Sequence, residues 1–165
     1  QKQDPKKVYE TITAEVRDIA KTLKKEGVNI WIRPETTGKG SQFGELNELI
    51  NMSAEIEGVL PCIDFAHLHA RSNGKFNTKQ EVLDVLSLVE KRLGKEALAN
   101  MHIHYNGIRY SEKGELNHLN LKESDARWKE VLEAWHEFKL KGQVTCESPN
   151  IEQDAMLMQK HWKTF

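Results

Sequence analysis

The sequence predicts an α/β protein organised as half of a (β/α)8 TIM barrel: a leading helix, then four βα units. Three observations lead there. Short apolar runs alternate with amphipathic stretches of helical period. Each apolar run breaks into a polar loop at a metal-type ligand: Glu35 in IWIRPETTGKGSQFG, Asp64 in LPCIDFAHLH, His104 in MHIHYNG and Glu147 in QVTCESPN. Finally, the ligands share a strand parity. Side chains alternate across a strand, so Glu35 shares a face with Arg33 and Trp31, Asp64 with Cys62 and Leu60, His104 with His102, and Glu147 with Thr145 and Gln143. The opposite face is aliphatic or nearly so, as packing under helices requires. The ligands therefore converge on one rim of a parallel sheet.

The elements follow in order. Residues 4–26 place Val8, Ile12, Val16, Ile19, Ala20 and Leu23 at helical spacing and stop at Gly27. A strand at 28–33 leads through the loop ETTGKGSQFG to a helix from Glu45 to Glu57. A strand at 59–64 precedes the loop HLHARSNGKFNT and a helix at 79–93, with Asn77 and Gln80 spaced for a capping box. The third strand, 100–105, is followed by a long loop, YNGIRYSEKGELNHLNLKES. A helix over 125–140 then carries the stripe Trp128, Val131, Leu132, Trp135 and Phe138. The fourth strand, 143–147, precedes a last helix from Ile151, with Asn150 and Gln153 spaced for its cap.

Length and composition set bounds. The chain of 165 residues suffices for one ordinary domain, and a formal net charge of −1 argues against a general polyanion-coating role. No apolar stretch reaches membrane length and no signal peptide is recognisable, so the expectation is a cytoplasmic protein without membrane contact. The cysteines, Cys62 and Cys146, fall on opposite strand parities, which argues against a disulfide.

A complete (β/α)8 barrel takes roughly 250 residues. Four parallel strands alone leave two open hydrogen-bonding edges and an uncovered inner face. The expected complement is an N-terminal half-barrel, on the same or another chain, or a second copy of this one; the chain, which opens on Gln1, reads as a piece of something longer. A self-contained four-stranded α/β layer is the alternative.

In order and spacing, PETTGKGSQFG, CIDFAHLHA, MHIHYNG and CESPN resemble the C-terminal half of endonuclease IV, the zinc-dependent apurinic/apyrimidinic endonuclease of the xylose-isomerase-like barrels. The resemblance covers the chain from Val28 onward, and the ESPN ending looks more like archaeal members. It implies a DNA-repair phosphodiesterase that cleaves duplex DNA 5′ to abasic sites through a zinc cluster, with two or three zinc ions in the complete barrel. Carried onto this chain, Glu35 bridges two metals, Asp64, His104 and Glu147 complete one site, and His67 and His118 belong to another. Glu35 and Glu147 are the catalytic candidates, Glu147 as the group that orients or deprotonates the attacking water. Carboxylates and imidazoles are suitable zinc ligands.

The chain departs from that pattern in places. The family's first strands supply two histidines for a further zinc, and those strands are absent here. Where the family has an aspartate two residues before the position of His118, this chain has Leu116, with Glu115 one step earlier as the alternative ligand. His102 shares a face with His104 and is the alternative third-strand ligand. Arg71 and Lys39 are candidate phosphate contacts on the rim, with Lys75 beside them; a solvated surface is the other reading of each. His69 reads as a loop residue near phosphate, His136 and His161 as solvated helix residues, and the Trp128/Trp135 stripe as core.

The competing function is a sugar isomerase or epimerase of the same barrels, which uses one Glu–Asp–His–Glu site with a single Mn2+, Co2+ or Mg2+. His67, His118 and the ETTGKGS loop favour the phosphodiesterase. A catalytically silent half, acting as an assembly partner, is the third reading.

Overall fold

A computed structural model describes residues 3–165. Asp4 opens the first helix, α1 (Pro5–Lys25), by accepting the Lys6 amide at 3.0 Å, with Pro5 where a missing N–H costs nothing. Gly27, at φ +70°, ends it: its amide bonds the Lys24 carbonyl and the Val28 amide bonds that of Leu23, a Schellman motif. Ile12, Val16 and Ala20 pack against Met52, Ile56 and Val59. Ile19, expected on the same stripe, is instead 52% exposed.

The remaining elements are α2 (Leu46–Glu55), β1 (Cys62–Asp64), α3 (Phe65–Arg71), α4 (Lys79–Ala99), β2 (Met101–Tyr105), β3 (Gly107–Ser111), β4 (Gly114–Leu119), a 3-10 turn (Leu121–Glu123), α5 (Trp128–Glu137), β5 (Gly142–Cys146) and α6 (Glu152–Trp162). Strands β1, β2 and β5 form a parallel sheet in chain order. Its registers pair Cys62 with His102, Asp64 with His104 and His104 with Thr145, so these residues face one side.

The first expected strand, 28–33, is reduced to isolated parallel bridges of Ile32 to Val59 and Glu35 to Cys62. The cause is Pro34. Around it the ladder is regular: the Ile32 amide bonds Gly58, Leu60 bonds Ile32, Cys62 bonds Pro34 and Thr36 bonds Cys62. Only the bond from position 34 is missing, because proline has no N–H. The segment still runs parallel beside β1 and sets Glu35 on the same face as Cys62.

Helices α3, α4 and α5 cover the outer face of the sheet, where Ile63, Phe65, Leu86, Val89, Ile103 and Trp135 are fully or nearly fully buried. Trp135 makes tilted and edge contacts with Phe65 and Tyr105, both at 5.6 Å. The Trp128/Trp135 stripe is core, as expected. Both margins of the sheet stay open: Val28, Ile30 and Trp31 on one side and Val144 on the other are exposed.

Several elements differ from the sequence expectation. The expected loop after β1 begins with helix α3, because Asp64 caps it and Phe65, Ala66, Leu68 and Ala70 bury its apolar side. The polar stretch after β2 is not a loop but the antiparallel hairpin β3–β4. The capping box of α4 uses Thr78 and Glu81 rather than Asn77 and Gln80. That helix breaks at Gly94, where the expected element ended, then resumes to Ala99. Helix α5 is shorter than the expected 125–140. Asn150 sits one residue before the α6 cap position and accepts from the Asp154 amide at 3.3 Å. His161, expected to be solvated, packs edge-on against Trp128 at 5.4 Å. Among the described residues, no helix is long and apolar enough to cross a membrane.

Candidate metal centre

At the C-terminal ends of the parallel strands, one ligand atom each from Glu35, Asp64, His104 and Glu147 lie within 4.8 Å of one another. Strand parity brings them together as expected. Asp64 is fully buried and divides its carboxylate between two tasks. Oδ1 accepts the His67 amide at 2.7 Å and caps α3, while Oδ2 is buried with no hydrogen-bond partner. His104 Nδ1 is likewise buried and unpartnered, 3.3 Å from Glu35 Oε1 and 3.5 Å from Glu147 Oε1. Orphaned buried polar atoms are costly. Two of them aimed into one carboxylate–imidazole group are the arrangement a divalent cation satisfies, so the residues fit zinc.

A second group of His67, Glu115 and His118 adjoins the first. His67 Nδ1 lies 2.9 Å from the Thr36 carbonyl, 3.2 Å from Glu35 Oε1 and 3.3 Å from Asp64 Oδ2. A carbonyl can only accept, so Nδ1 carries a proton, which leaves Nε2, 3.6 Å from Glu115 Oε2, as the nitrogen that would bind a metal. His118 repeats the scheme. Its Nδ1 donates to the Glu147 carbonyl at 3.1 Å, and Nε2 faces Glu115 Oε1 at 3.7 Å.

Glu115 reaches this position through a β-bulge. The β3–β4 register pairs Arg109 with Asn117 but Tyr110 with Glu115, leaving Leu116 unpaired and exposed. Residues three apart on a regular strand point to opposite faces; one extra residue restores a common face. Glu115 and His118 thus converge although their spacing alone says otherwise. Gly38 makes room, since a Cβ there would lie 2.6 Å from Glu115 Oε2 and 3.1 Å from His67. The Glu115 amide also bonds the Gly38 carbonyl at 2.9 Å.

The charged groups of the two clusters act on one another. Hydrogen bonding from His67, with His104 nearby, holds Glu35 below the ordinary carboxylate range despite partial burial. Burial pushes Asp64 up to about 6. Burial alone would lower His67, but its hydrogen bond to Glu35 and the charges of Asp64 and Glu115 raise it to about 9.

The other sequence candidates fall around this centre. His102 is not in the four-residue group; with Cys62 and His104 it forms a trio one register step below. Burial and the carboxylates above push the Cys62 thiol up to about 12. Arg71, instead of pointing outward from the rim, binds the carbonyls of Thr37, Lys39 and Gln42 and thereby shapes the glycine-rich loop. Lys39 is exposed at the tip of that loop. His69 is buried on α3, bonded to the Lys75 carbonyl and to Asp125, away from the centre. The supporting carbonyls of Thr36 and Glu147 had no sequence signal.

The sequence matches the family described as xylose isomerase-like TIM barrel over residues 1–164. The chain belongs to this family. An uncharacterized protein of Methanocaldococcus jannaschii is 43% identical over 152 residues, covering 92% of the chain and 55% of that protein. The chain thus spans about half the length of this curated relative. As a partial xylose isomerase-like barrel it has an α/β fold with a parallel sheet, and it carries residue groups suited to metal.

Proposed function

We propose that the complete protein is a zinc-dependent phosphodiesterase that incises duplex DNA 5′ to abasic sites, and that this chain contributes most of its metal centre. The observation that carries this reading is the second donor group, His67–Glu115–His118, abutting the first through the contacts of His67 with Glu35 and Asp64. A sugar isomerase needs the Glu–Asp–His–Glu set alone. Two adjoining sites suit displacement at phosphorus, where charge develops on both the attacking and the leaving oxygen.

Each residue has a defined part. Glu35, ionised and placed between His67 and His104, is the carboxylate that would be shared between the two groups when metal is bound. Asp64, His104 and Glu147 complete one site, and His67, Glu115 and His118 form the other. Zinc, when bound, lowers the pKa of water and polarises the phosphate. Glu147 orients the attacking water and accepts its proton; the hydrogen bond from His118 to its carbonyl fixes the backbone that carries it. The remaining half-barrel, in cis or from another chain, closes the two open sheet margins and adds DNA-binding surface.

The deciding experiment is incision of a duplex with one abasic site, by the chain alone and mixed with the half-barrel corresponding to the rest of the M. jannaschii relative. Zinc-dependent cleavage 5′ to the lesion, strongly increased by the second half and abolished by Glu147→Gln, is expected. Sugar isomerisation supported by a single manganese per chain, with no incision, would establish the isomerase instead.

A further inference from the structure

We infer that Asp125, which lies outside both ligand groups, is a positioning residue for the His67–Glu115–His118 pocket; this rests on reading that trio as a metal site. Its carboxylate joins α3, which supplies His67, to β3, the hairpin partner of the strand that supplies Glu115 and His118. Oδ1 lies 3.1 Å from His69 Nε2 on α3, and Oδ2 accepts the Tyr110 hydroxyl of β3 at 2.7 Å. His69 is two residues beyond His67 on the same short helix, and Tyr110 is the register partner of Glu115 beside the bulge. The His69 and Tyr110 rings meet edge to face at 4.9 Å. Apart from the 3.6 Å approach of His67 Nε2 to Glu115 Oε2, no polar side-chain contact among the described residues joins α3 to either hairpin strand, so Asp125 supplies the hydrogen-bonded link.

Asp125 is itself anchored. Its carbonyl accepts from Asn77 Nδ2 at 3.0 Å, and Asn77 Oδ1 accepts the Arg127 amide at 2.7 Å. His69 Nδ1 donates to the Lys75 carbonyl, so Nε2 reaches the carboxylate only from a fixed ring. Zinc tolerates ligand distances only within about 0.2 Å of ideal. Ligands drawn from a seven-residue helix and a two-stranded hairpin need a brace on the far side to keep that spacing. Without the carboxylate, the Tyr110 hydroxyl loses its acceptor and the polar link from His69 Nε2 to the hairpin is broken, which loosens the seat of α3 against the hairpin.

The test is titration of the metal-free full chain with Zn2+ alone, resolving two classes of site, in wild type, Asp125→Ala, Asp125→Asn and the control His118→Ala. Asp125→Ala, one step further out than the direct partners of metal ligands whose loss costs about 10- to 100-fold, is expected to weaken the trio class by up to about 10-fold, leaving the Glu35–Asp64–His104–Glu147 class unchanged. Asp125→Asn, which keeps one acceptor oxygen, should fall between. If Asp125→Ala fails to fold, Tyr110→Phe, which removes only the hydroxyl, carries the same test with a smaller loss. Wild-type titration in the Asp125 and Tyr110 variants, with the trio class missing in His118→Ala, overturns the positioning role and leaves the metal reading intact. Retention of both classes in His118→Ala defeats the metal reading itself.

Discussion

Asp64 caps the helix that presents His67: its Oδ1 accepts the His67 amide at 2.7 Å, and its Oδ2 lies 3.3 Å from the same residue's Nδ1. One carboxylate thus starts α3, orients the first histidine of the second group and keeps an oxygen for the first. The same side chain serves both the helix and the site.

That coupling separates two substitutions. Asn is as good a cap as Asp, whereas Ala costs about 1 kcal/mol at such positions. Asp64→Asn should therefore keep near-wild-type thermal stability in the metal-free state yet retain little zinc by elemental analysis. Asp64→Ala should lose both stability and metal. Full zinc retention in Asp64→Asn would remove Oδ2 from the ligand set.

Glu35 and Glu147 flank His104 Nδ1. Replacement of either by Gln removes a negative charge at nearly constant shape. Metal content after exhaustive dialysis should drop in both variants, more for Glu35 because it touches both His67 and His104. Unchanged content and unchanged incision would end the metal role of these residues.

Gly38 and Gly40 provide a matched pair in the same loop. A Cβ on Gly38 would meet Glu115 Oε2 at 2.6 Å, whereas nothing lies within 4 Å of one on Gly40. Gly38→Ala should displace Glu115 and weaken the second class of zinc site in a titration, and Gly40→Ala should leave it as it was. Equal behaviour of the two variants would mean that the loop does not hold Glu115 in place.

In the metal-free chain, His67 is raised from 6.5 to about 9. Its folded form holds a proton that the unfolded chain gives up above pH 6.5. The resulting stabilisation is complete below pH 6.5 and is lost as pH rises through about 9. Asp64, raised from 3.8 to about 6, contributes in the same sense, complete below pH 3.8 and gone above about 6. The melting temperature in chelator should fall between pH 6.5 and 9, and His67→Gln should flatten that slope. A melting temperature that climbs across this window contradicts the assignment.

Much of this was legible along the chain. Period-two parity alone brought Glu35, Asp64, His104 and Glu147 to one rim, because alternation is a property of any extended backbone. Helical spacing and the stop at Gly27 likewise located α1, whose ends are set by local capping. Residues far apart in sequence were another matter. The Leu116 bulge that turns Glu115 toward His118 depends on β4 pairing with β3, and neither strand declares that register by itself. The buried state of His69 and its bond to Asp125 arise only when α3 meets the hairpin. The carbonyls of Thr36 and Glu147 that fix the histidine tautomers belong to the backbone, which carries no residue-specific signal. Sequence determined which side chains share a face, since that is local stereochemistry; tertiary structure decided which faces meet and at what distance, since that is set by packing.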